Sequence, residues 1–412
     1  MSKIKSVLRI AVDMTPILSN GENGGSKVLV LTLFKRLQTL APNYKFFLLT
    51  APWNHEELME YENKNTKCIL IEQSGNPTNI EEQVFSNRLI RFGAKVVKKI
   101  QKKWDNIFSK KTLLKSHKID LLFCPFSAPN FAEDGVPTVA IVYDLQHLDY
   151  PEFFTKEERE RRDQFFSNLL KVAENIVCIS EFSRQSFIQK LNVPDEKLDV
   201  VHISIYDRWS GLSEETVKHH LQELGLKDCN YAFYPANYWP HKNHRMLLTA
   251  YEMYQQQFPG QHLDLVFTGA LEREEKELRE MIAKMNLSDR VHFLGYLNEE
   301  ALEAVWRGCT CLVFPSLYEG FGIPVLEAMG FGKPVLSSTA GSLPEVCGDA
   351  VLYFDPEKPE EIAQCLEKIT TDTELSNDLV SKGYQRLKFF ECDKMARQYL
   401  DIFKAMVSKT AT

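Results

Sequence analysis

Pro315-Ser316-Leu317-Tyr318-Glu319-Gly320-Phe321-Gly322-Ile323-Pro324-Val325-Leu326-Glu327-Ala328-Met329 is the stretch on which the reading of this chain turns. It follows Cys311–Phe314, a short unbroken apolar run of the kind that forms a strand buried on both faces. Gly320 and Gly322 permit a tight loop and a close approach of a ligand to the backbone. Pro324 suits the first position of a helix, so the spacing predicts strand, loop and helix in succession. The amides of Phe321 to Val325 would then face an anion, with the helix dipole adding to the attraction. A diphosphate suits such a site. Glu327, in the expected first turn, can accept two hydrogen bonds from a ribose diol, and Glu319 can meet what the diphosphate carries. An ordinary strand–turn–helix corner would be the better explanation of a bare Gly-x-Gly.

Outward from this stretch, short apolar runs alternate with longer amphipathic ones, the pattern of parallel sheets covered by helices. Seven expected strands run from Val7–Val12 to Leu198–Val201, and six more from Tyr231–Tyr234 to Val351–Tyr353. The expected fold is α/β, two doubly wound Rossmann-like domains that bind ligands beyond the carboxyl ends of their strands. Residues 1–205 and 206–390 form the two domains, and 391–412 a final helix packing back on the first. The polar stretch Tyr206–Leu221 is read as the crossing between them.

Composition agrees with 412 residues in two domains: 44% of them are hydrophobic and 25% charged. Arg9 and Asp13 interrupt the first apolar stretch, so no signal peptide is expected, and no run is long enough to span a bilayer. Nine irregularly spaced cysteines form no disulfide ladder; Cys309 and Cys311 read as buried strand thiols. The expected location is cytoplasmic. Residues 88–118 carry eleven Lys or Arg against the single acid Asp105, leaving the rest of the chain at -17 within a net -7. Net acidity argues against nucleic acid as a partner. Apolar steps at Phe85, Leu89, Phe92, Val96, Ile100 and Trp104 beside these cations predict an amphipathic basic helix. Such a helix suits an anionic membrane surface through residues 85–118, peripheral on its inner face, although a core-packed helix with a solvated lysine face has the same pattern.

The stretch Glu319–Met329 resembles the Glu-x7-Glu signature of the retaining glycosyltransferases of family 4, which have the GT-B fold. The resemblance continues through Gly332-Lys333-Pro334-Val335 and Gly341-Ser342-Leu343-Pro344-Glu345-Val346. It includes Phe293-Leu294-Gly295-Tyr296-Leu297, similar to the strand and loop that border the nucleotide base, where Gly295 and Tyr296 would stand. It implies a nucleotide-sugar donor held by Glu319, Gly320, Phe321, Gly322, Ile323, Pro324 and Glu327. Lys242, in Trp239-Pro240-His241-Lys242-Asn243-His244, matches the family's donor lysine and would neutralise the leaving diphosphate. Ala236 and Asn237 stand where many members have an arginine, which leaves the diphosphate to Lys242, backbone amides and neighbours such as Asn237, His241 or Arg245. Asn243 is expected to cap the following helix, and His241 and His244 either bond at its start or touch the ligand.

In the first domain, Asn20-Gly21-Glu22-Asn23-Gly24-Gly25-Ser26 resembles the family's Gly-Gly loop near the donor phosphate, which brings in Gly25. Tyr143-Asp144-Leu145-Gln146-His147 resembles its His-Asp loop against the transferred sugar; Tyr143 replaces the usual histidine, and His147 either substitutes for it or packs. Asp144 and His147 therefore join Glu319 and Lys242 as expected catalytic residues. Ser180 or Ser183 reads as a helix cap, and Arg184 is a candidate to face an anion.

No Asp-x-Asp pair occurs, so no metal ligands are assigned and a metal-independent reaction without cofactor is expected. No carboxylate is an evident nucleophile, which favours front-side transfer. The acceptor implied is a saccharide or lipid-linked saccharide in cell-surface polysaccharide or glycoconjugate synthesis. The Trp239–His244 run resembles that of bacterial members using mannose donors, so GDP-mannose is expected first and a UDP-sugar next. A GT-B nucleotide-sugar epimerase or hydrolase, and a non-catalytic two-lobed binding protein, are the alternatives.

Overall fold

The computed structural model describes residues 7–18, 25–71, 112–204, 209, 211–269 and 272–410. The glycine-rich loop through Gly24 and the basic segment from 85 to 111 lie outside the described residues. The chain divides into two compact units: Met1–Ile179 with Arg184–Val201 and Asp393–Thr412, and Ser180–Ser183 with His202–Cys392.

The first unit is a seven-stranded parallel sheet in the order β3-β2-β1-β4-β5-β6-β7. Its strands are β1 (Arg9–Asp13), β2 (Lys45–Thr50), β3 (Thr66–Leu70), β4 (Leu121–Cys124), β5 (Thr138–Val142), β6 (Asn175–Cys178) and β7 (Leu198–Val200). Every residue of β5 is buried, as an inner strand covered on both faces requires. Helices α1 (Gly25–Leu40), α2 (Lys156–Val172) and α3 (Glu181–Leu191) link the strands. Thr155 and Glu158 start α2 with a reciprocal capping box. The final helix, whose residues from Asp393 onward belong to this unit, places Tyr399 and Phe403 on Phe123 of β4, ring centroids 5.5 and 5.0 Å apart.

The second unit is a six-stranded parallel sheet in the order β10-β9-β8-β11-β12-β13. Its strands are β8 (Tyr231–Pro235), β9 (Asp264–Thr268), β10 (Val291–Phe293), β11 (Cys311–Phe314), β12 (Val335–Ser338) and β13 (Leu352–Phe354). The chain runs outward from β8 to β10 and then returns to β11 beside β8, so the carboxyl ends of β8 and β11 flank a switch point. Helices α4 (Glu214–Glu223), α5 (His244–Gln257), α6 (Glu272–Lys284), α7 (Glu299–Gly308), α8 (Ile323–Gly330), α9 (Pro359–Thr371), α10 (Thr373–Leu387) and α11 (Cys392–Thr410) complete the chain.

All thirteen expected strands form, and Cys309 and Cys311 are buried free thiols. Three local expectations are corrected. The Ser213-Glu214-Glu215 signal, taken as part of a crossing, starts α4: Ser213 Oγ accepts the Thr216 amide at 3.1 Å, and two acids sit at the positive end of the helix. Asn243 does not cap α5 with its side chain; it adopts a left-handed backbone, φ 61°, and sends its amide elsewhere. Pro324 is the second residue of α8 rather than the first, because Gly322 caps with φ 98° and Ile323 opens the helix. Among the described residues no helix is long and apolar enough to cross a membrane.

Candidate active site

Within the second unit, the loops after β8 and β11 are neighbours because their strands are paired. Tyr234, buried in β8, reaches both: its hydroxyl donates to Lys242 O at 2.8 Å and lies 3.1 Å from Ser316 Oγ. The Leu317 amide donates to His241 O at 2.7 Å, joining the loops through their backbones. Asn243 Nδ2 donates to Pro315 O at 3.1 Å and Pro356 O at 2.8 Å, which is where its amide goes instead of capping. This frame brings Lys242 Nζ to 2.6 Å from Glu319 Oε1, with side chains 19% and 11% exposed. A half-buried ammonium and carboxylate at this distance offset each other's loss of water.

Glu319 is held from behind. Its carbonyl accepts the Ser342 amide at 3.1 Å and the Ser342 hydroxyl at 3.0 Å. Gly341 lies so close, at φ 59°, that an added Cβ would stand 2.5 Å from that carbonyl oxygen. The sequence marked Gly341 and Ser342 only as part of a longer resemblance; their clamp on Glu319 is visible only in the fold. Gly320 O accepts from Ser180 Oγ at 2.7 Å, and Ser180 also takes the Ser183 amide at 3.1 Å, the cap expected for that turn. Glu345 accepts the amides of Glu181 and Phe182 at 2.7 and 2.9 Å and faces His202 Nε2 at 2.6 Å. Burial opposes its ionisation, but these hydrogen bonds hold its carboxyl below the usual range. Nothing in the residue pattern singled out Glu345 for this task.

At the start of α8, the first amides have no partner within the helix. Pro324 has none to give, and Val325 donates to Gly322 O at 3.0 Å, so the amides of Phe321, Gly322 and Ile323 are the ones positioned for an anion. Glu327 is the fifth helical residue, one position further in than expected, and is 7% exposed. On the other side of the switch point, the ends of β8, β9 and β10 are joined by Ala236 N to Thr268 O and Gly269 N to Gly295 O, both 3.1 Å. Gly269, overlooked in the sequence, permits this: a Cβ there would lie 2.5 Å from Ala236 O. Asn237 is exposed, Gly295 turns at φ 65°, and Tyr296 is 69% exposed after it. His244 is a core residue, its ring 4.7 Å from that of Tyr234 and 5.1 Å from that of Tyr238. Burial, with Lys242 adding repulsion, pushes it down to about 3, so it is neutral at physiological pH.

The first-unit candidates take separate positions. Gly25 is the exposed first residue of α1. Tyr143 donates its hydroxyl to Pro125 O at 2.8 Å, and Asp144 Oδ1 accepts the Gln146 amide at 3.0 Å, shaping the turn after β5. Of the two readings of His147, the structure has the packed one: its ring stacks on Phe166 of α2 at 5.5 Å, and Nε2 lies 3.3 Å from Asp163. Burial and the nearby Arg162 lower its pKa against the pull of Asp163. It contributes to the wall of a groove of about 350 Å³ with Lys156, Arg159 and Glu160. At the end of β1, beside the switch point of this sheet, the buried Asp13 binds the Thr15 amide at 3.0 Å and hydroxyl at 2.6 Å. Burial outweighs these bonds and raises its carboxyl to about 7.

The profile of glycosyl transferases group 1 matches residues 216–386, and that of glycosyltransferase family 4 matches 24–206, so the two together span most of the chain. The chain is 28% identical over 281 residues to the O-antigen chain mannosyltransferase B of Escherichia coli, covering 68% of this chain and 73% of that one. It is 30% identical over 289 residues to the serotype-specific mannosyltransferase WbdA of Escherichia coli, covering 67% of this chain but only 35% of WbdA. The match therefore spans about a third of that relative's length. In three dimensions it resembles the Anabaena protein HepE in complex with UDP and glucose, with a TM-score of 0.68, 19% identity, and coverage of 97% of this chain and 100% of that one. The chain belongs to the family 4, group 1 glycosyltransferases and has their GT-B fold.

Proposed function

We propose that the protein transfers a hexose, with retention of anomeric configuration and without a metal ion, from a nucleotide sugar to a saccharide or lipid-linked saccharide. The observation that carries this reading is the pair Lys242 and Glu319 at 2.6 Å on adjoining loops, one residue ahead of the glycine-lined start of α8. A donor entering there exchanges one partner for another: its diphosphate takes Lys242 and the free amides of α8, while Glu319 turns to hydroxyls of the sugar. As the glycosidic bond breaks, charge develops on the diphosphate where the ammonium and helix dipole already stand. The leaving phosphate then assists deprotonation of the acceptor hydroxyl on the same face. Glu327 is assigned to the ribose, and the exposed Tyr296 beside Gly295 to the base.

GDP-mannose is the first donor proposed and a UDP-sugar the second, in keeping with the mannosyltransferase names of the relatives and the UDP in the HepE structure. Cell-surface polysaccharide synthesis is the setting, with peripheral membrane association on the cytoplasmic side. Thermal shift across GDP-, UDP- and ADP-sugars tests the donor, because at equal concentration the ligand that binds more tightly stabilises more. Product analysis by NMR with saccharide acceptors then reads the anomeric configuration. A donor that binds but yields only free sugar or its epimer, or an inverted product, overturns the reading.

A further inference from the structure

We propose that Cys229, Asp264 and His292 form a binding site for a thiophilic divalent cation of tetrahedral preference, Zn(II) foremost, at the opposite end of the second sheet from the candidate active site. Asp264 opens β9, His292 is the second residue of β10, and Cys229 stands two residues ahead of β8. These three strands are parallel neighbours, so their starts lie side by side. Asp264 Oδ2 is 2.8 Å from His292 Nε2 and 3.3 Å from Cys229 Sγ, and the three donor atoms lie within 4.8 Å of one another. A tetrahedral zinc bound at ~2.3 Å to sulfur and ~2.0 Å to nitrogen and oxygen sets its ligand atoms roughly 3.3–3.6 Å apart. Shifts on the order of 1 Å or less convert the present cluster into that arrangement.

The surroundings favour the same use. Arg290 Nη1 holds the other carboxylate oxygen, Asp264 Oδ1, at 3.0 Å, which orients the ligand and leaves Oδ2 facing the thiol and imidazole. On binding, the Cys229 S–H bond breaks, its proton leaves to solvent, and the sulfur pair bonds the cation. His292 shifts its proton to Nδ1 and offers the Nε2 lone pair, and Asp264 Oδ2 completes three protein bonds. Water takes the fourth position, since Cys229 and His292 are each partly exposed. One proton is released per cation. At the strand starts the cation ties β8, β9 and β10 together and takes no part in transfer.

The full-length protein, stripped with a chelator, is titrated with Co(II) and then Zn(II). The expected result is one equivalent bound, with tetrahedral d–d bands and a thiolate-to-cobalt charge-transfer band, displacement by Zn(II), one proton released and a raised Tm. Cys229→Ser should abolish the charge-transfer band, and His292→Ala should weaken binding by more than about tenfold. If either variant fails to fold, alkylation of the wild type decides: Zn(II) should protect Cys229 selectively. No stoichiometric binding at micromolar Zn(II), no protection of Cys229, or an unchanged cobalt spectrum in both variants overturns the proposal. The last result would direct attention to His219, His220 and Glu223, where another three donors gather.

Discussion

Glu319→Gln should separate binding from transfer, because Glu319 already occupies the charge that a donor needs. Its carboxylate lies 2.6 Å from Lys242 Nζ. A phosphate oxygen taking that ammonium at about 3 Å leaves the carboxylate roughly 5 Å away. At an effective dielectric of about 20, two unit charges at that separation repel by about 3 kcal/mol. The side chains are 19% and 11% exposed, so solvent and salt reach the pair. Screening of about half leaves roughly 1.5 kcal/mol. The glutamine variant should therefore bind GDP or UDP about tenfold more tightly than the wild type. Transfer should fall by about 10²–10³ in kcat, since the contact to the developing sugar charge is lost. Lys242→Ala should weaken both nucleotide binding and transfer. Isothermal titration with the nucleoside diphosphates and a radiolabelled transfer assay give the two readings. Glu319→Gln protein that binds GDP and UDP no more tightly than wild type refutes the argument, since the carboxylate then does not compete for the diphosphate's cation.

Gly341→Ala should cost at least tenfold in kcat/KM with the circular dichroism unchanged, because its Cβ would meet the Glu319 backbone at 2.5 Å in a left-handed turn; a fully active variant would show that the clamp is dispensable. Asp13→Asn has a signed pH dependence. The folded carboxyl is raised to about 7 from 3.8, so its contribution to stability is complete below pH 3.8 and is lost as pH rises to 7. The variant should thus gain up to about 4 kcal/mol relative to the wild type at pH 8 and almost nothing at pH 4. Urea unfolding at both pH values checks this, and an equal difference at each would rule it out. Ser213→Ala should destabilise α4 by about 1 kcal/mol, seen as lower amide protection in Glu214–Glu223 by hydrogen exchange; unchanged protection would deny the cap.

The second unit was the more legible because its chemistry is written in short continuous stretches. A buried strand, a glycine-lined loop and a helix start within fifteen residues predict the local backbone path that the fold contains, and Lys242 stands on the loop after the neighbouring strand. What stayed hidden there was the support. Tyr234, Asn243, Ser342 and Glu345 act over separations of 82, 72, 23 and 164 residues, through bonds that exist only once the strands and their loops are assembled. The errors have the same origin. Asn243 looked like a cap because the competing acceptors, Pro315 O and Pro356 O, are 72 and 113 residues away. Ser213 looked like a linker because α4 is held chiefly by packing on α7, which polar composition alone does not reveal.

The first unit resists the same approach for a physical reason. Its candidates depend on which way single side chains turn after a strand. His147 illustrates this, since stacking on Phe166 and contact with Asp163 compete with any role toward a sugar. Its ring can serve a ligand only if the new contacts exceed what the buried stack provides, so an active role would cost binding energy. Truncating His147 to alanine should therefore lower stability more than transfer per folded molecule, whereas Lys242→Ala should do the reverse. Comparing Tm with kcat for the two variants tests this directly: a His147→Ala protein that keeps its Tm and loses transfer would move His147 from the core into the reaction.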